Sequence, residues 1–232
     1  MQTIVQVRQL IKDYGQGEVL TRALRGLDLE ITAGEFTAMA GPSGSGKSTL
    51  LNIIGGLDRP TSGSVEIEGR NLDSMTGTEL SNLRRDRIGF IFQGYNLIPV
   101  MTVMENAEYV LMLQNVPTSE RRRRARNLLE EVGLAGLEQR FPRELSGGQQ
   151  QRVAITRAIA PEPALILADE PTANVDSDTG MALLDLMRRL NEDKGVTFLL
   201  STHDSSVMNQ ARRLVLLRDG RIESQPDSAD EA

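Results

Sequence analysis

Short apolar stretches of strand length recur along the chain and alternate with segments of helical spacing. EFTAMA at 35–40, ALILA at 164–168 and VTFLLS at 196–201 are mostly apolar. MALLDLMRRLNED at 181–193 places its leucines and methionines at helical intervals. Strands that are apolar on both faces are typical of parallel sheets covered by helices on either side. The pattern therefore predicts an α/β fold with a mainly parallel sheet.

Other segments depart from that pattern. Apolar residues between 24 and 31 alternate with polar ones, with one slip at Gly26, and SVEIEG at 64–69 alternates in the same way, so both are predicted to be strands. Residues 102–140 are predicted to be mostly helical and look like an insertion into the sheet domain. The polar, acidic residues 224–232 are expected to be disordered.

The composition narrows the possible functions. The chain has 232 residues, enough for one α/β domain with or without a small subdomain. It has no cysteine and a single histidine, His203, which excludes disulfides, thiol catalysis, zinc–thiolate sites and multi-histidine metal sites. A net charge of −6 and an aromatic content of 3% argue against a nucleic-acid partner.

The sequence does not predict insertion into a membrane. No window approaches 18 uninterrupted apolar residues, and the N-terminal segment lacks the long apolar stretch of a secretory signal. We therefore expect a protein that stays in the cytoplasm.

A glycine-rich segment, GPSGSGKS at 41–48, matches the pattern G-x-x-x-x-G-K-[ST] between a predicted strand and a predicted helix. Its glycines let the backbone curl so that N–H groups point at phosphate oxygens, and the helix dipole adds to the attraction. Lys47 would reach the β- and γ-phosphates, and the Ser48 hydroxyl would ligate Mg²⁺. The alternative is a glycine-rich turn that binds nothing. Nucleotide contacts are expected from Gly41, Ser43, Gly44, Ser45, Gly46, Lys47, Ser48 and Thr49.

Two adjacent acids follow the apolar strand at 164–168. Asp169 and Glu170 stand in ALILADEP, where a parallel strand would end beside the phosphate loop. Asp169 would hold Mg²⁺. Glu170 would orient and deprotonate the attacking water. The alternative is an acidic turn at the end of a strand.

A third motif, LSGGQQQR at 145–152, resembles the signature sequence of ATP-binding cassette (ABC) ATPases. Ser146 and the two glycines after it would open a helix, whose N-terminus attracts anions. The alternative is a plain helix cap. The resemblance to this family covers about residues 3–223.

The resemblance implies roles for four further residues. Tyr14, 27 residues before Gly41, matches the aromatic that stacks on adenine; the alternative is an ordinary half-buried tyrosine on a strand. Gln93 matches the glutamine that senses Mg²⁺ and water, although a lone glutamine here would be a polar strand cap. Asp176 matches a dimer-contact aspartate, and His203 matches the switch histidine at the γ-phosphate rather than an ordinary surface residue. Catalysis is thus expected from Lys47, Gln93, Glu170 and His203, and metal binding from Ser48, Gln93 and Asp169.

The resemblance also implies an architecture and an assembly. A P-loop core would carry an N-terminal antiparallel β part and an inserted helical subdomain at about 94–160, all within an ABC ATPase domain at 1–223. In that family two cassettes pair head to tail and sandwich each ATP between the phosphate loop of one and the signature helix of the other. A homodimer that binds ATP and Mg²⁺ is therefore expected. The residues expected to act in the partner's site are Ser146, Gly147, Gly148 and Gln149.

Three segments are most similar to one subfamily. GGLDRPTSGSV at 55–65, the stretch at 89–109 and ADEPTANVDS at 168–177 resemble the ATPases of lipoprotein-release, macrolide-efflux and antimicrobial-peptide-resistance systems. The resemblance implies an integral membrane subunit with few spans and a large extracytoplasmic domain. It also implies a peripheral position on the cytoplasmic face of the inner membrane.

Two surface features have open interpretations. The apolar run from Tyr95 to Met101 would either receive a cytoplasmic helix of the membrane subunit, which would dock near Gln93–Met101, or form the core of the helical subdomain. The basic run from Arg121 to Arg124 would be either a solvated helix face or a site for anionic lipid headgroups.

The resemblance leaves several functions open. The leading hypothesis is an ATPase that drives export or extraction of a lipoprotein, peptide or amphipathic substrate. Alternatives are a regulatory cassette that couples ATP to an extracytoplasmic enzyme without transport, and the ATPase of a solute importer. A soluble cassette acting on ribosomes or DNA is disfavoured, because the chain has neither a second cassette nor room for a long coiled-coil insertion.

Overall fold

The computed structural model describes residues 2–16 and 19–223, so the tail predicted to be disordered lies outside the described residues. The strands are β1 Thr3–Gln16, β2 Val19–Thr32, β3 Phe36–Ala40, β4 Ser62–Ile67, β5 Arg70–Asn71, β6 Ile88–Ile91, β7 Leu165–Asp169, β8 Thr197–Thr202, β9 Arg213–Arg218 and β10 Arg221–Glu223. The α-helices are α1 Lys47–Ile54, α2 Gly77–Arg87, α3 Val103–Leu113, α4 Thr118–Glu131, α5 Gly147–Ile159, α6 Ser177–Lys194 and α7 Ser205–Gln210. None of these described helices has the length and apolar character that a membrane span requires.

The strands form two sheets. The larger sheet has the order β10-β9-β3-β8-β7-β6, and all its neighbours pair in parallel except β10 with β9. The smaller sheet is antiparallel, in the order β2-β1-β4-β5. This topology confirms the predicted α/β fold with a mainly parallel sheet and an antiparallel β part near the N-terminus.

The central strands of the larger sheet are buried on both faces. Phe198 and Leu200 of β8 join an apolar cluster with helices α3, α5 and α6. Leu199, between them, joins the opposite cluster with α1 and the antiparallel sheet. Successive strand residues point to opposite faces, so a strand covered on both sides must be apolar throughout. This double burial is the reason that the apolar runs predicted the strands correctly.

Helix α2 was not predicted from the hydrophobic pattern, although the sequence carries a signal for its start. Thr76 and Glu79 form a capping box: the Glu79 N–H donates to Thr76 Oγ1 at 3.3 Å, and the Thr76 N–H donates to Glu79 Oε2 at 2.8 Å. The spacing T-x-x-E is the sequence form of this motif. The helix is mostly polar, and its buried residues include only Leu80 and Leu83, so it lacks a strong apolar stripe.

The basic run lies on helix α4, and its charges have acidic neighbours. Arg121 and Arg122 lie 3.1 and 3.9 Å from Glu108, while Arg123 and Arg124 lie 2.8 and 2.6 Å from Glu120. Local pairing removes much of the positive potential that would attract anionic lipid. The structure therefore does not favour a lipid-headgroup site: Arg122 and Arg123 are solvated, whereas Arg121 is largely buried in its pair with Glu108.

Helix α5 packs closely against the edge strand β6 at Gly89. A Cβ atom at this position would lie 2.5 Å from the backbone oxygen of Ala158, far inside ordinary contact distance. Neither backbone can yield without moving a whole element, since both are held by regular hydrogen bonding. Gly89 therefore sets the distance between the helix and the sheet.

We predict that Gly89→Ala lowers the free energy of unfolding by about 1–3 kcal/mol, because the added methyl group overpacks this contact. Urea denaturation would measure the change. Gly77→Ala is the matched control: a Cβ there meets nothing within 4 Å, and alanine suits a helix. Equal stability of the two variants would contradict the packing argument.

Candidate nucleotide-binding site

The phosphate loop joins β3 to α1 in a conformation that needs glycine. Gly46 has φ 105, and a Cβ there would lie 2.7 Å from the backbone oxygen of Ala23. A Cβ at Gly41 would lie 2.0 Å from the backbone oxygen of Leu217. Both positions lack room for any side chain, so the curl of the loop depends on the glycines of the motif.

Lys47 is buried, and its side chain crosses the loop. Its Nζ donates to the backbone oxygens of Gly41 at 2.7 Å and Pro42 at 3.1 Å. The ammonium group is thus held over the concave side of the loop, beside the first turn of α1. A buried cation and a helix N-terminus together attract a phosphate group.

Asp169 ends β7 directly opposite the first turn of α1. Ser48 Oγ donates to Asp169 Oδ1 at 3.0 Å, so a hydroxyl and a carboxylate oxygen converge. Magnesium prefers such oxygen ligands and keeps several waters or phosphate oxygens around it, so these two residues fit a Mg²⁺ site. In the part of the chain that the structure describes, no cluster of three acidic, histidine or cysteine residues could hold the ion by protein ligands alone. When bound there, Mg²⁺ would supply positive charge that neutralises the charge developing on the phosphate oxygens.

Glu170 has an unusual backbone conformation that turns its side chain into the same cleft. Its φ is 46, in the left-handed region, which costs on the order of 1 kcal/mol for a residue with a side chain. In a regular strand Asp169 and Glu170 would point to opposite faces. The left-handed residue lets both carboxylates serve one site, and Glu170 Oε1 lies 2.8 Å from His203 Nδ1.

These motifs meet in one cleft of about 340 Å³. It brings together the phosphate loop, the first turn of α1, the residue two after β6, the residue after β7 and the residue after β8. The lining residues are Ala23, Ser43, Gly44, Gly46, Lys47, Ser48, Thr49, Gln93, Glu170 and His203. Ser45 is buried within the loop itself.

Tyr14 lies on β1 close to this cleft but does not line it. Its hydroxyl donates to Asp58 Oδ2 at 2.7 Å, and Lys12 Nζ lies 4.7 Å from its ring centroid. The Thr49 side chain is also nearby. Burial raises the pKa of Asp58, but hydrogen bonds from Lys12 and Tyr14 outweigh it and hold that pKa below its usual value. The half-exposed ring is thus fixed in orientation, as a stacking platform requires.

The signature segment forms the start of helix α5 outside the cleft. Ser146 Oγ accepts from the Gln149 N–H at 3.3 Å, and Gln149 Oε1 accepts from the Ser146 N–H at 2.9 Å. A Cβ at Gly147 would lie 2.7 Å from the Tyr95 hydroxyl, and one at Gly148 would lie 2.4 Å from Thr179 Cγ2. The sequence suggested no packing reason for the two glycines, but the structure supplies one for each.

Asp176 caps helix α6 beside the signature segment. Its carboxylate accepts from the Thr179 N–H at 3.0 Å and from Thr179 Oγ1 at 2.8 Å, and these hydrogen bonds lower the pKa of Asp176. Thr179 also contacts the space at Gly148. Asp176 therefore lies near the signature helix of its own chain, and it is not among the residues that line the cleft.

Sequence reasoning missed a set of contacts that holds the segment after Gln93. Arg157 on α5 donates to the backbone oxygens of Tyr95 at 3.0 Å and Asn96 at 2.5 Å. Both Tyr95 and Asn96 have a left-handed backbone conformation, with φ 60 and 48. The Tyr95 hydroxyl donates to the Asn174 backbone oxygen at 3.0 Å, and Asn174 Nδ2 donates to the Gln93 backbone oxygen at 2.6 Å.

Arg157 is largely buried, and burial lowers the pKa of its guanidinium. A buried cation needs acceptors, and the two carbonyl oxygens supply them. No local sequence signal could reveal these partners, because they lie about 60 residues away in the chain.

Comparison with known proteins identifies the family of the chain. The family model described as ABC transporter matches residues 24–173. An uncharacterized ABC transporter ATP-binding protein of Thermotoga maritima is 48% identical over 96% of this chain and 95% of its own length. A macrolide export ATP-binding/permease protein of Syntrophobacter fumaroxidans is 46% identical over 95% of this chain but only 31% of its own length.

The structural comparison gives the same family. The ATP-binding cassette MJ0796, solved as a dimer in a post-hydrolysis state with ADP and Pi, superposes with a TM-score of 0.89. It is 44% identical, over 96% of this chain and 98% of its own. A protein of that name from Methanocaldococcus jannaschii is also among the sequence relatives. The chain belongs to the ABC transporter family of ATP-binding proteins, which confirms the resemblance, and it is an ATPase.

We predict that Arg157→Met loosens the segment after Gln93. Hydrogen bonds to a charged group contribute about 1.5–3 kcal/mol, so amide exchange within residues 94–98 should accelerate at least about tenfold. Hydrogen-exchange mass spectrometry would measure it. Arg126→Met, which removes an exposed arginine from α4, should leave these amides unchanged. Unaltered protection in the Arg157 variant would show that the guanidinium does not hold the segment.

Proposed function

We propose that the chain dimerises head to tail on ATP and drives a membrane partner in the export or extraction of a lipoprotein, peptide or amphipathic substrate. One observation supports the head-to-tail dimer. The cleft contains the phosphate loop, Glu170 and His203, whereas Ser146 and Gly148 are not among its lining residues. The N-terminus of α5 attracts anions but lies outside the cleft of its own chain, so it can contribute to the cleft of a second copy.

In the proposed reaction the residues of one chain bind and activate, and those of the second chain close the site. Lys47 and the loop N–H groups hold the phosphates, and Ser48, Asp169 and Gln93 are the residues that would hold the metal ion. Glu170, oriented by His203, accepts a proton from the attacking water. Tyr14 of the first chain stacks on the adenine. The second chain supplies the signature residues Ser146 to Gln149, which face the γ-phosphate. Its Asp176 contacts the first chain across the interface.

The relatives support both parts of the proposal. The dimeric cassette with ADP and Pi supports pairing of two copies around nucleotide. The macrolide export relative and a pyoverdine export relative of Pseudomonas fluorescens are both ATP-binding/permease proteins. Because about a third of each relative matches this chain at 46–47% identity, an exporter-type membrane subunit is the favoured partner. We place the complex on the cytoplasmic face of the inner membrane.

The membrane subunit would dock in a groove of about 480 Å³ on the surface of the chain. We call it the docking groove. It runs between α2, β6 and α3 and is largely apolar, with arginines at 84, 85 and 157. Its apolar lining includes Leu57, Ile88, Phe90, Phe92, Ile98, Tyr109, Val110 and Leu113.

The residues at 95–101 serve both purposes considered from the sequence: some belong to the protein core, and others are available for a partner helix. Leu97 packs against the core cluster of the helical region. Ile98 lines the docking groove, and Val100 is 79% exposed. An apolar cleft beside such exposed residues is suited to an amphipathic helix of a partner.

We predict that Glu170→Gln binds ATP but hydrolyses it at least about a hundredfold more slowly, because the general base is lost. ATP should then trap the variant as a dimer. Phosphate release and size-exclusion chromatography would measure both effects. Near-wild-type turnover would refute the role of Glu170.

A second substitution tests whether the signature helix acts in the partner's site. Ser146→Arg, placed in the Glu170→Gln background, should abolish the ATP-dependent dimer by steric obstruction. ATP binding by the monomer should remain, since Ser146 is not in its own cleft. A dimer that persists would contradict the head-to-tail arrangement.

We predict that tagged Glu170→Gln, with ATP and Mg²⁺, recovers its membrane subunit from native membranes. Leu113→Asp, in the docking groove, should abolish recovery by placing a charge against the partner's apolar face. Met112→Asp is the control, since Met112 is similarly exposed on the same helix but does not line the groove. Both variants should still dimerise with ATP.

Mass spectrometry of the recovered protein distinguishes the possible functions. A subunit with few spans and a large extracytoplasmic domain supports export or extraction. Recovery of that subunit together with a cell-wall hydrolase would indicate a regulatory cassette instead. A many-span permease with a solute-binding protein would indicate an importer, and ribosomal or DNA-bound proteins alone would refute the membrane assignment.

A further inference from the structure

Ser201 is a buried hydroxyl in an otherwise apolar part of β8. It follows Phe198, Leu199 and Leu200, and its exposed fraction is 0%. A small apolar residue would fill such a position without cost, whereas a buried hydroxyl must find hydrogen-bond partners. The partners of Ser201 therefore indicate what the hydroxyl does.

Both hydrogen-bond partners of the Ser201 hydroxyl belong to the two adjacent acidic residues, Asp169 and Glu170. Ser201 Oγ donates to Asp169 Oδ1 at 2.5 Å and accepts from the Glu170 N–H at 3.2 Å. The same N–H also lies 3.2 Å from the Ser201 backbone oxygen. Ser201 pairs with Asp169 across the two parallel strands, so the contact follows from sheet register.

This arrangement holds the Asp169 carboxylate from two sides. Oδ1 accepts from Ser201 on β8 and from Ser48 on α1, at 2.5 and 3.0 Å. A carboxylate with one oxygen tied twice cannot rotate freely, so its other oxygen keeps a defined direction. The bond to the Glu170 N–H also supports the left-handed residue that aims the second acid.

We propose that Ser201 is a positioning residue for the metal site: its hydroxyl orients Asp169 toward the ion held with Ser48 and fixes the backbone of Glu170. Outer groups that hydrogen-bond a metal-binding carboxylate tune metal affinity in this way. The inference rests on the proposed Mg²⁺ site of Ser48 and Asp169. It concerns metal affinity, and Ser201 itself touches neither nucleotide nor ion.

The test measures metal binding without turnover. Mn²⁺, which replaces Mg²⁺ and has an EPR signal, would be titrated into the full chain saturated with a non-hydrolysable ATP analogue. Ser201→Ala should weaken Mn²⁺ binding about tenfold or more. Ser201→Thr, which keeps the hydroxyl, should bind Mn²⁺ nearly as well as the wild type. If Ser201→Ala does not fold, Ser201→Cys preserves the size of the side chain with a much weaker donor and should show the same loss.

Thr197→Val is the matched control. Thr197 is a buried hydroxyl residue at the other end of β8, where it accepts from the Gly34 N–H at 3.0 Å and contacts neither acid. Loss of the Thr197 hydroxyl should lower the melting temperature of the protein without changing its affinity for Mn²⁺. The inference is overturned if Ser201→Ala binds Mn²⁺ like the wild type, or if Thr197→Val weakens binding equally.

Asp169→Asn separates this result from a failure of the metal site. If Asp169→Asn weakens Mn²⁺ binding and Ser201→Ala does not, the site stands and the role of Ser201 is refuted. If Asp169→Asn itself has no effect, the proposed metal site is wrong, and the role of Ser201 is refuted with it.

Discussion

The parallel pairing of β3, β8, β7 and β6 governs the chemistry of this protein. Parallel strands end at one edge of the sheet, so the phosphate loop, Gln93, Glu170 and His203 meet there although they are far apart in sequence. Both faces of these strands are buried, one by α3, α5 and α6 and the other by α1 and the antiparallel sheet, as parallel strands require. The double apolar core is therefore also what positions the cleft.

At the end of β7, the placement of two acidic side chains in one site requires a strained backbone conformation. Regular strand geometry would separate Asp169 from Glu170, and the left-handed backbone at Glu170 overcomes that separation. The surrounding contacts stabilise the unfavourable conformation: the Glu170 N–H bonds to Ser201, and its carboxylate bonds to His203. Strain of this kind persists where neighbouring structure holds it, which is typical of functional sites.

A second centre of contacts lies where three motif segments meet. Tyr95 contacts Asn174 and fills the space above Gly147, while Arg157 binds the backbone after Gln93. The segment that lines the docking groove is thus packed directly against the signature helix and the loop before Asp176. The docking groove and the signature segment therefore share one packed set of contacts.

The sequence by itself determined the parallel sheet and the phosphate loop, because double burial imposes apolar strands and a curled loop imposes glycines. It also determined the pair of acids, since they directly follow a recognisable strand. Helix α2 escaped notice because its apolar stripe is weak, although Thr76 and Glu79 marked its start. Only the tertiary structure decided the partners of Arg157, Ser201 and the two signature glycines. Those partners lie about 30 to 60 residues away in the chain, and no local pattern encodes a contact that exists only after the sheet has assembled.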